Sequence, residues 1–268
     1  MKSRLFMLAA LASVSLHGDE ATTYCESSYS EDCCCGTPFL SIGGGYSWSF
    51  KTSITTGPNW DPSPQGYKDD LNGSEFYFLG LGYHFPCLLS ASFELDYHPS
   101  FRYKRFQQST SVETVGFLGD KTRYFKLSNT AFTFNLFLNK NADFWCWTVC
   151  DCYKLAPFIG AGVGVAYNTL SDFHSVLPAP SGNVSEPVRS IMVSNRRVGL
   201  AGQAMGGITA NFNDRFSFDV GYRWFYGGKF RSNNYLIDSN ENSTPGKAQP
   251  WKGRLMANEV FASLNFSL

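Results

Sequence analysis

The side chains that could do chemistry in this chain recur at every second position. In "FELDYHPSFRYK" (residues 93–104), Glu94, Asp96, His98, Arg102 and Lys104 share one parity. Asp219 and Arg223 share a parity in "FDVGYR", and Glu259 opens the ending "EVFASLNFSL". Residues two apart on a strand point to the same face, so each set would converge on one space. Carboxylates beside an imidazole offer general acid–base chemistry. The same groups would equally serve as an ionic plug or line a narrow conductance. The spacing leaves all three readings open. Arg223 is expected to pair with Glu259 or Glu94.

The second set is thiols. Cys25, Cys33, Cys34, Cys35, Cys87, Cys146, Cys150 and Cys152 are spread over the first 152 positions, three of them consecutive in "EDCCCGTP". Structural zinc sites favour two C-x-x-C-like pairs. Neither the triple nor Cys150-x-Cys152 has that spacing, so no metal or other cofactor is expected. A lipid anchor needs a cysteine directly after a leader, and none stands there. Disulfides remain, within the chain or to a neighbour, provided the compartment is oxidising. Other motifs are weak. "GAGVG" (residues 160–164) resembles a dinucleotide loop, but its glycines alternate along a strand and no helix follows. They would leave room for large inward side chains opposite. There is no H-E-x-x-H, no G-x-S-x-G and no phosphate loop, so the chain is expected not to be an enzyme. The N-x-S/T matches at Asn72, Asn183 and Asn242 read as chance.

The elements that must carry these groups are strands. The 268 residues hold 22 basic and 22 acidic side chains, which gives no basic surplus for nucleic acid. Charged residues are only 16%, while aromatics reach 16% and glycines number 25. Lys2 and Arg4 precede a short apolar run, "LFMLAALASVSL" (residues 5–16), too short to span a bilayer and suited to a secretory leader over residues 1–20. Residues 21–37 form a cysteine-rich segment. From 38 to 268, eight segments alternate at period two: 38–50, 75–85, 89–104, 123–138, 155–168, 198–212, 216–226 and 259–268. Their apolar faces are free of charge and end in Tyr, Trp and Phe, an apolar band with aromatic girdles. Connections alternate long and short: 51–74, 105–121, 169–197 and 227–255 are long, 86–88 and 213–215 are tight, and 140–154 is intermediate. Long outer loops and short periplasmic turns give that rhythm in an outer-membrane barrel.

The last three strands, "AGQAMGGITANFNDRFSFDVGYRWFYGG" and "EVFASLNFSL", resemble the OmpA-like transmembrane domain and the opacity-type surface proteins. The resemblance covers the whole barrel in architecture and these strands in motif. It implies an all-β, eight-stranded antiparallel transmembrane barrel in the bacterial outer membrane. Leu264, Phe266 and Leu268 resemble the C-terminal signal read by the barrel-assembly machinery, with Leu268 where the family usually has Phe. The cysteine load resembles the disulfide-linked envelope proteins of chlamydia-like bacteria. The expected role is non-enzymatic: envelope integrity, and surface or host contact through the loops, where Trp60, Phe173, Tyr235 and Trp251 stand out. The expected partners are outer-membrane lipids, the assembly machinery, disulfide-linked envelope proteins or a second copy, and a host surface ligand. A narrow porin is the alternative, and a lipid-modifying barrel enzyme a third. On this reading the lumen cluster is Glu94, Asp96, His98, Arg102, Asp219, Arg223 and Glu259, and every cysteine falls on the periplasmic side.

Overall fold

Period-two alternation commits each segment to a wall with two chemistries, and the wall closes on itself. The structure, a computed structural model, describes residues 36–54, 71–86, 88–107, 121–140, 146–149, 153–176, 190–213, 215–233, 236–237 and 250–268. The expected leader and cysteine triple lie outside the described residues. Eleven strands follow in chain order: β1 (Thr37–Ser49), β2 (Ser74–His84), β3 (Leu89–Gln107), β4 (Lys121–Leu138), β5 (Trp147–Val149), β6 (Tyr153–Val176), β7 (Ser190–Met192), β8 (Asn195–Asn211), β9 (Phe216–Arg231), β10 (Leu236–Ile237) and β11 (Lys252–Ser267). β1, β2, β3, β4, β6, β8, β9 and β11 form the barrel, each antiparallel to the next, and β11 returns to pair with β1. Closure leaves no open sheet edge, the condition for a sheet to cross a hydrocarbon layer. β5, β7 and β10 are short additions at the rims.

The outward face carries the band that the alternation predicts. Ile42, Leu79, Leu81, Phe93, Leu95, Phe132, Phe134, Ile159, Val163, Val165, Leu200, Ile208 and Leu264 are all large, apolar and exposed. Register lines Tyr46, Trp48, Tyr77, Tyr97, Tyr167, Tyr222 and Trp224 into a ring toward the long connections. Tyr83, Phe85, Trp147, Tyr153, Phe212 and Phe216 mark the rim of the short turns. From Phe216 to Trp224 the strand rises about 26 Å, or about 20 Å along an axis tilted by roughly 40°. Exposed apolar surface of this extent is stable only against lipid, so the barrel spans a membrane.

Glycines and phenylalanines share the inner wall as cross-strand pairs: Gly43 faces Phe78, Gly45 faces Phe76, Gly82 faces Phe39, Gly160 faces Phe137 and Gly221 faces Phe261. A Cβ on Gly43, Gly82 or Gly160 would fall 2.3–2.5 Å from the opposing ring. The rings therefore lie over the bare backbone and fill the bore.

Several strands run past the girdle, and there the lumen changes character. Phe101, Tyr103, Phe125, Leu127, Leu170, Phe173, Phe225, Phe230, Trp251 and Leu255 pack into an apolar core. β-Bulges put Phe101, Tyr103, Phe173 and Phe230 inside, while the others keep the parity of the inner face below them. Register slips between His98 and Phe101 on β3, between Tyr124 and Lys126 where β4 meets β6, and between Arg254 and Met256 where β11 meets β9. Each extra residue exchanges the two faces of the strand beyond it. Asp172 (φ 54°) and Gly228 (φ 82°) supply left-handed backbone at two of these slips. Three expectations change here. Arg102 is exposed on the outer wall, while Phe101 and Tyr103 turn inward. Phe173 and Trp251 are core residues, not loop aromatics. β6 continues to Val176, eight residues beyond the expected end, with Phe173 inward past the bulge. Trp60 and Tyr235 lie outside the described residues.

Gly228 gives a test of the bulge. A Cβ there meets left-handed φ and lies 3.0 Å from the Leu200 carbonyl oxygen. Gly228→Ala should lower unfolding free energy by about 1–2 kcal/mol. Gly202→Ala, whose Cβ would have 3.7 Å of clearance, should stay within about 0.5 kcal/mol. Urea titration of the barrel in phospholipid vesicles, followed by tryptophan fluorescence, measures both.

Candidate functional site: the buried ionic cluster of the lumen

At mid-membrane the inner wall is polar, and its centre is Arg223. Direct register sets Arg223 on β9 opposite Glu259 on β11. β3 lies four strands away in the closed order, across the full bore. From there Glu94 and Asp96 reach the same guanidinium. Arg223 Nε donates to Glu259 Oε2 at 2.5 Å and Nη1 to Glu94 Oε1 at 2.7 Å. Nη2 stands 2.8 Å from Asp96 Oδ1, at ion-pair distance without hydrogen-bond alignment. Three edges of one planar fork thus meet three carboxylates, a geometry open to arginine and not to lysine. The guanidinium lies over Phe76, 4.6 Å from its centroid, with Phe225 at 5.5 Å.

His98 joins the cluster from above. Its Nε2 is 2.7 Å from Glu259 Oε1. Its ring stacks on Phe76, Phe101 and Phe225 at 5.2, 5.6 and 4.9 Å. Every member is buried. A layer higher, Asn129 donates to Asn168 Oδ1, and both amides donate to the carbonyl of Gly227 at the bulge. Nearer the short turns, Gln203 reaches across the glycines of β6 to Asn135 Oδ1 at 2.7 Å. A Cβ on Gly162 would lie 1.8 Å from that oxygen, which explains the glycine in "GAGVG".

Asp219 does not reach Arg223. It pairs with Lys140, Nζ to Oδ2 at 2.5 Å, and accepts from Thr209 at 2.8 Å and Ser263 at 3.2 Å. Lys140 follows β4 and reads in the sequence as a turn residue. It enters the bore because Asn139 turns the chain at φ 61°, a conformation that Asn tolerates. Its ammonium sits among Phe39, Phe137 and Phe158 at 4.6–5.9 Å. No local pattern marks it. Lys104, like Arg102, faces outward.

Between the two charge centres, Ser41, Ser92, Glu94, Lys140, Met205 and Arg223 line a gap of about 10 Å³, space for about one water. Among the described residues no His, Cys, Asp and Glu group could hold a metal. Of the thiols, only Cys146 falls among the described residues; it is buried and disulfide-bonded. Cys25, Cys33, Cys34, Cys35, Cys87, Cys150 and Cys152 lie outside them. Leu264 and Leu268 point outward, and Phe266 packs on Phe216 at 5.1 Å.

Breaking this cluster should be severe. Arg223→Met leaves three buried carboxylates without their cation and should cost about 3–5 kcal/mol. Arg223→Met combined with Glu94→Gln and Glu259→Gln should recover much of it, since two of the three orphaned charges go too. Urea midpoints of the three proteins in one vesicle preparation decide. Equal losses in the single and triple variants would count against a charge-driven cost.

No protein-family model and no curated protein matches this sequence. Solved structures do show likeness. Neisserial surface protein A is 10% identical with a TM-score of 0.39, over 87% of this chain and 99% of that one. The outer membrane protein OprG from Pseudomonas aeruginosa is 14% identical with a TM-score of 0.43, over 87% and 97%. The N-terminal β-barrel domain of Pseudomonas aeruginosa OprF is 12% identical with a TM-score of 0.33, over 87% and 100%. At these identities and scores the likeness assigns no ligand, substrate or reaction.

Proposed function

We propose that the chain is a bacterial outer-membrane barrel with a closed lumen, a non-enzymatic envelope protein that makes surface contact through its long-loop rim. The filled bore carries this reading. Arg223 and its carboxylates cross the bore at mid-membrane. Above them Trp251, Phe125 and Phe173 pack on one another in an apolar core. What remains for function is the outer surface and the rims. Four of the connections between barrel strands lie at the end beyond the girdle, and loops on a rigid scaffold commonly carry recognition. The short-turn rim is suited to cross-linking, with Cys146 already bonded there, and we place the other seven thiols in the same oxidising compartment.

The porin reading has one observation in its favour: the polar lower bore around Lys140, Asp219 and Thr209, which begins at the short-turn rim. Planar-bilayer recording separates the two. The closed barrel should give no stable single-channel openings. Stable openings whose ion selectivity changes in Arg223→Met would overturn the closed lumen and favour the pore.

A further inference from the structure

Among the described residues, the outer wall above the girdle is rich in basic side chains. Three cross-strand pairs set cation against cation: Arg102 opposite Lys126, Lys229 opposite Arg254, and Arg231 opposite Lys252. Like charges in such pairs repel. Lys126 has relief, because Asp172 stands 2.7 Å from its ammonium. The four on β9 and β11 have none: among the described residues no carboxylate pairs with them. Arg254 Nε donates to the carbonyl of Lys51, which brings a fifth exposed cation alongside. Arg196 on the adjoining β8 is exposed too. The opposite rim shows only Lys154 and Arg215 as exposed cations among its described residues, so the asymmetry is strong in a chain with no net charge.

Depth narrows the choice of anion. Arg254 lies four residues above Asn258, which pairs with both Trp48 and Trp224 of the girdle. That places the patch about 10 Å beyond the girdle, given about 3.3 Å per residue and a tilt of roughly 40°. Long basic side chains from there reach lipid headgroups. On the adjoining β8, whose Gly199 lies beside Lys229, the outward row descends from Val198 and Leu200 through Gly202 and Ala204 to Gly206. Val198 and Leu200 are 65% and 77% exposed, and the two glycines make the row a shallow furrow. A soluble anion would use the cations and leave this furrow unused. A lipid uses both.

We propose that Lys229, Arg231, Lys252 and Arg254 form a binding site for a lipid with two headgroup phosphates, its acyl chain lying along the furrow of β8. The site rests on the outer-membrane reading, since such a lipid must occupy the leaflet beside the long-loop rim. Pairs of cations match two phosphates, and arginine can hold each phosphate by two hydrogen bonds.

The test uses the full-length protein folded in detergent. It is titrated with bisphosphorylated lipid A and with the monophosphorylated form, and native mass spectrometry counts bound lipid. The bisphosphorylated form should bind about tenfold or more tightly than the other. Lys229→Gln, Arg231→Gln, Lys252→Gln and Arg254→Gln together should remove that preference, while Lys154→Gln with Arg215→Gln should retain it. Should the fourfold variant misfold, judged by circular dichroism, Arg231→Gln with Lys252→Gln alone should reduce the preference several-fold. Equal binding of both lipids by the native protein overturns the proposal. So does full displacement of lipid A by inorganic phosphate or a soluble sulfated saccharide, which would make the patch a soluble-anion site. Failure of the native protein to insert into phosphatidylcholine vesicles would sink the membrane reading itself. Insertion without lipid preference sinks only the lipid site.

Discussion

One guanidinium organises this barrel. An eight-stranded wall encloses a bore just wide enough for its own side chains, so every inward polar group must find its partner inside. Arg223 answers that constraint across the full diameter, joining adjacent strands β9 and β11 to β3 on the far wall. The aromatic–glycine pairs follow from the same limit on space. A ring can fold over a neighbouring backbone only where no Cβ stands, and each ring so placed closes the bore a little more around the fork. The buried charges do not make the barrel stable merely by being paired, because desolvation offsets much of their attraction. They make it particular: only one register brings three carboxylates to one arginine.

The second organising fact is the change of solvent along the barrel axis. Within the band, lipid lies outside and the inner face is polar. Above the girdle, water lies outside, and the barrel inverts to an apolar interior with Lys and Arg on the wall. On β4 and β11 the exchange is made by residue choice at unbroken period, the inner row passing from Asn129 to Leu127 and Phe125 and from Glu259 to Leu255 and Trp251. On β3, β6 and β9 the bulges at His98–Phe101, Asp172 and Gly227–Gly228 supply a half-step. The two Asn amides that cap the Gly227 carbonyl sit at this junction, where the bulge takes that oxygen out of the regular ladder.

This divides what could be read from the sequence. Strand number, order, facing within the membrane and the inward position of Glu94, Asp96, His98, Asp219, Arg223 and Glu259 all follow from alternation, because one lipid-facing row suffices to set the parity. Arg102 could not be placed that way. The period continues through it on paper and breaks in space two residues earlier. Pro99, inside an otherwise regular strand, was the available signal, since proline within a sheet marks edges and bulges. Phe173 reads as a loop aromatic because the Asp172 bulge resets the parity before it, while Trp251 keeps the parity of Leu255 and Glu259 but lies ahead of the expected start of the last strand at 259. Lys140 was invisible for another reason: its entry depends on one left-handed residue and a gap between three distant rings.

The closed interior also bears on where natural variation can act. A bore filled by one ionic layer and one apolar core couples β3, β9 and β11 through Arg223, so a change at Glu94 is felt on the far wall as an unbalanced charge. The outer face has no such coupling. Its apolar rows contact fluid lipid, and its basic wall contacts water and headgroups, so substitutions there alter affinity for the surroundings with little effect on packing. A barrel built this way holds its fold from the lumen, and a change on its outer face is felt locally.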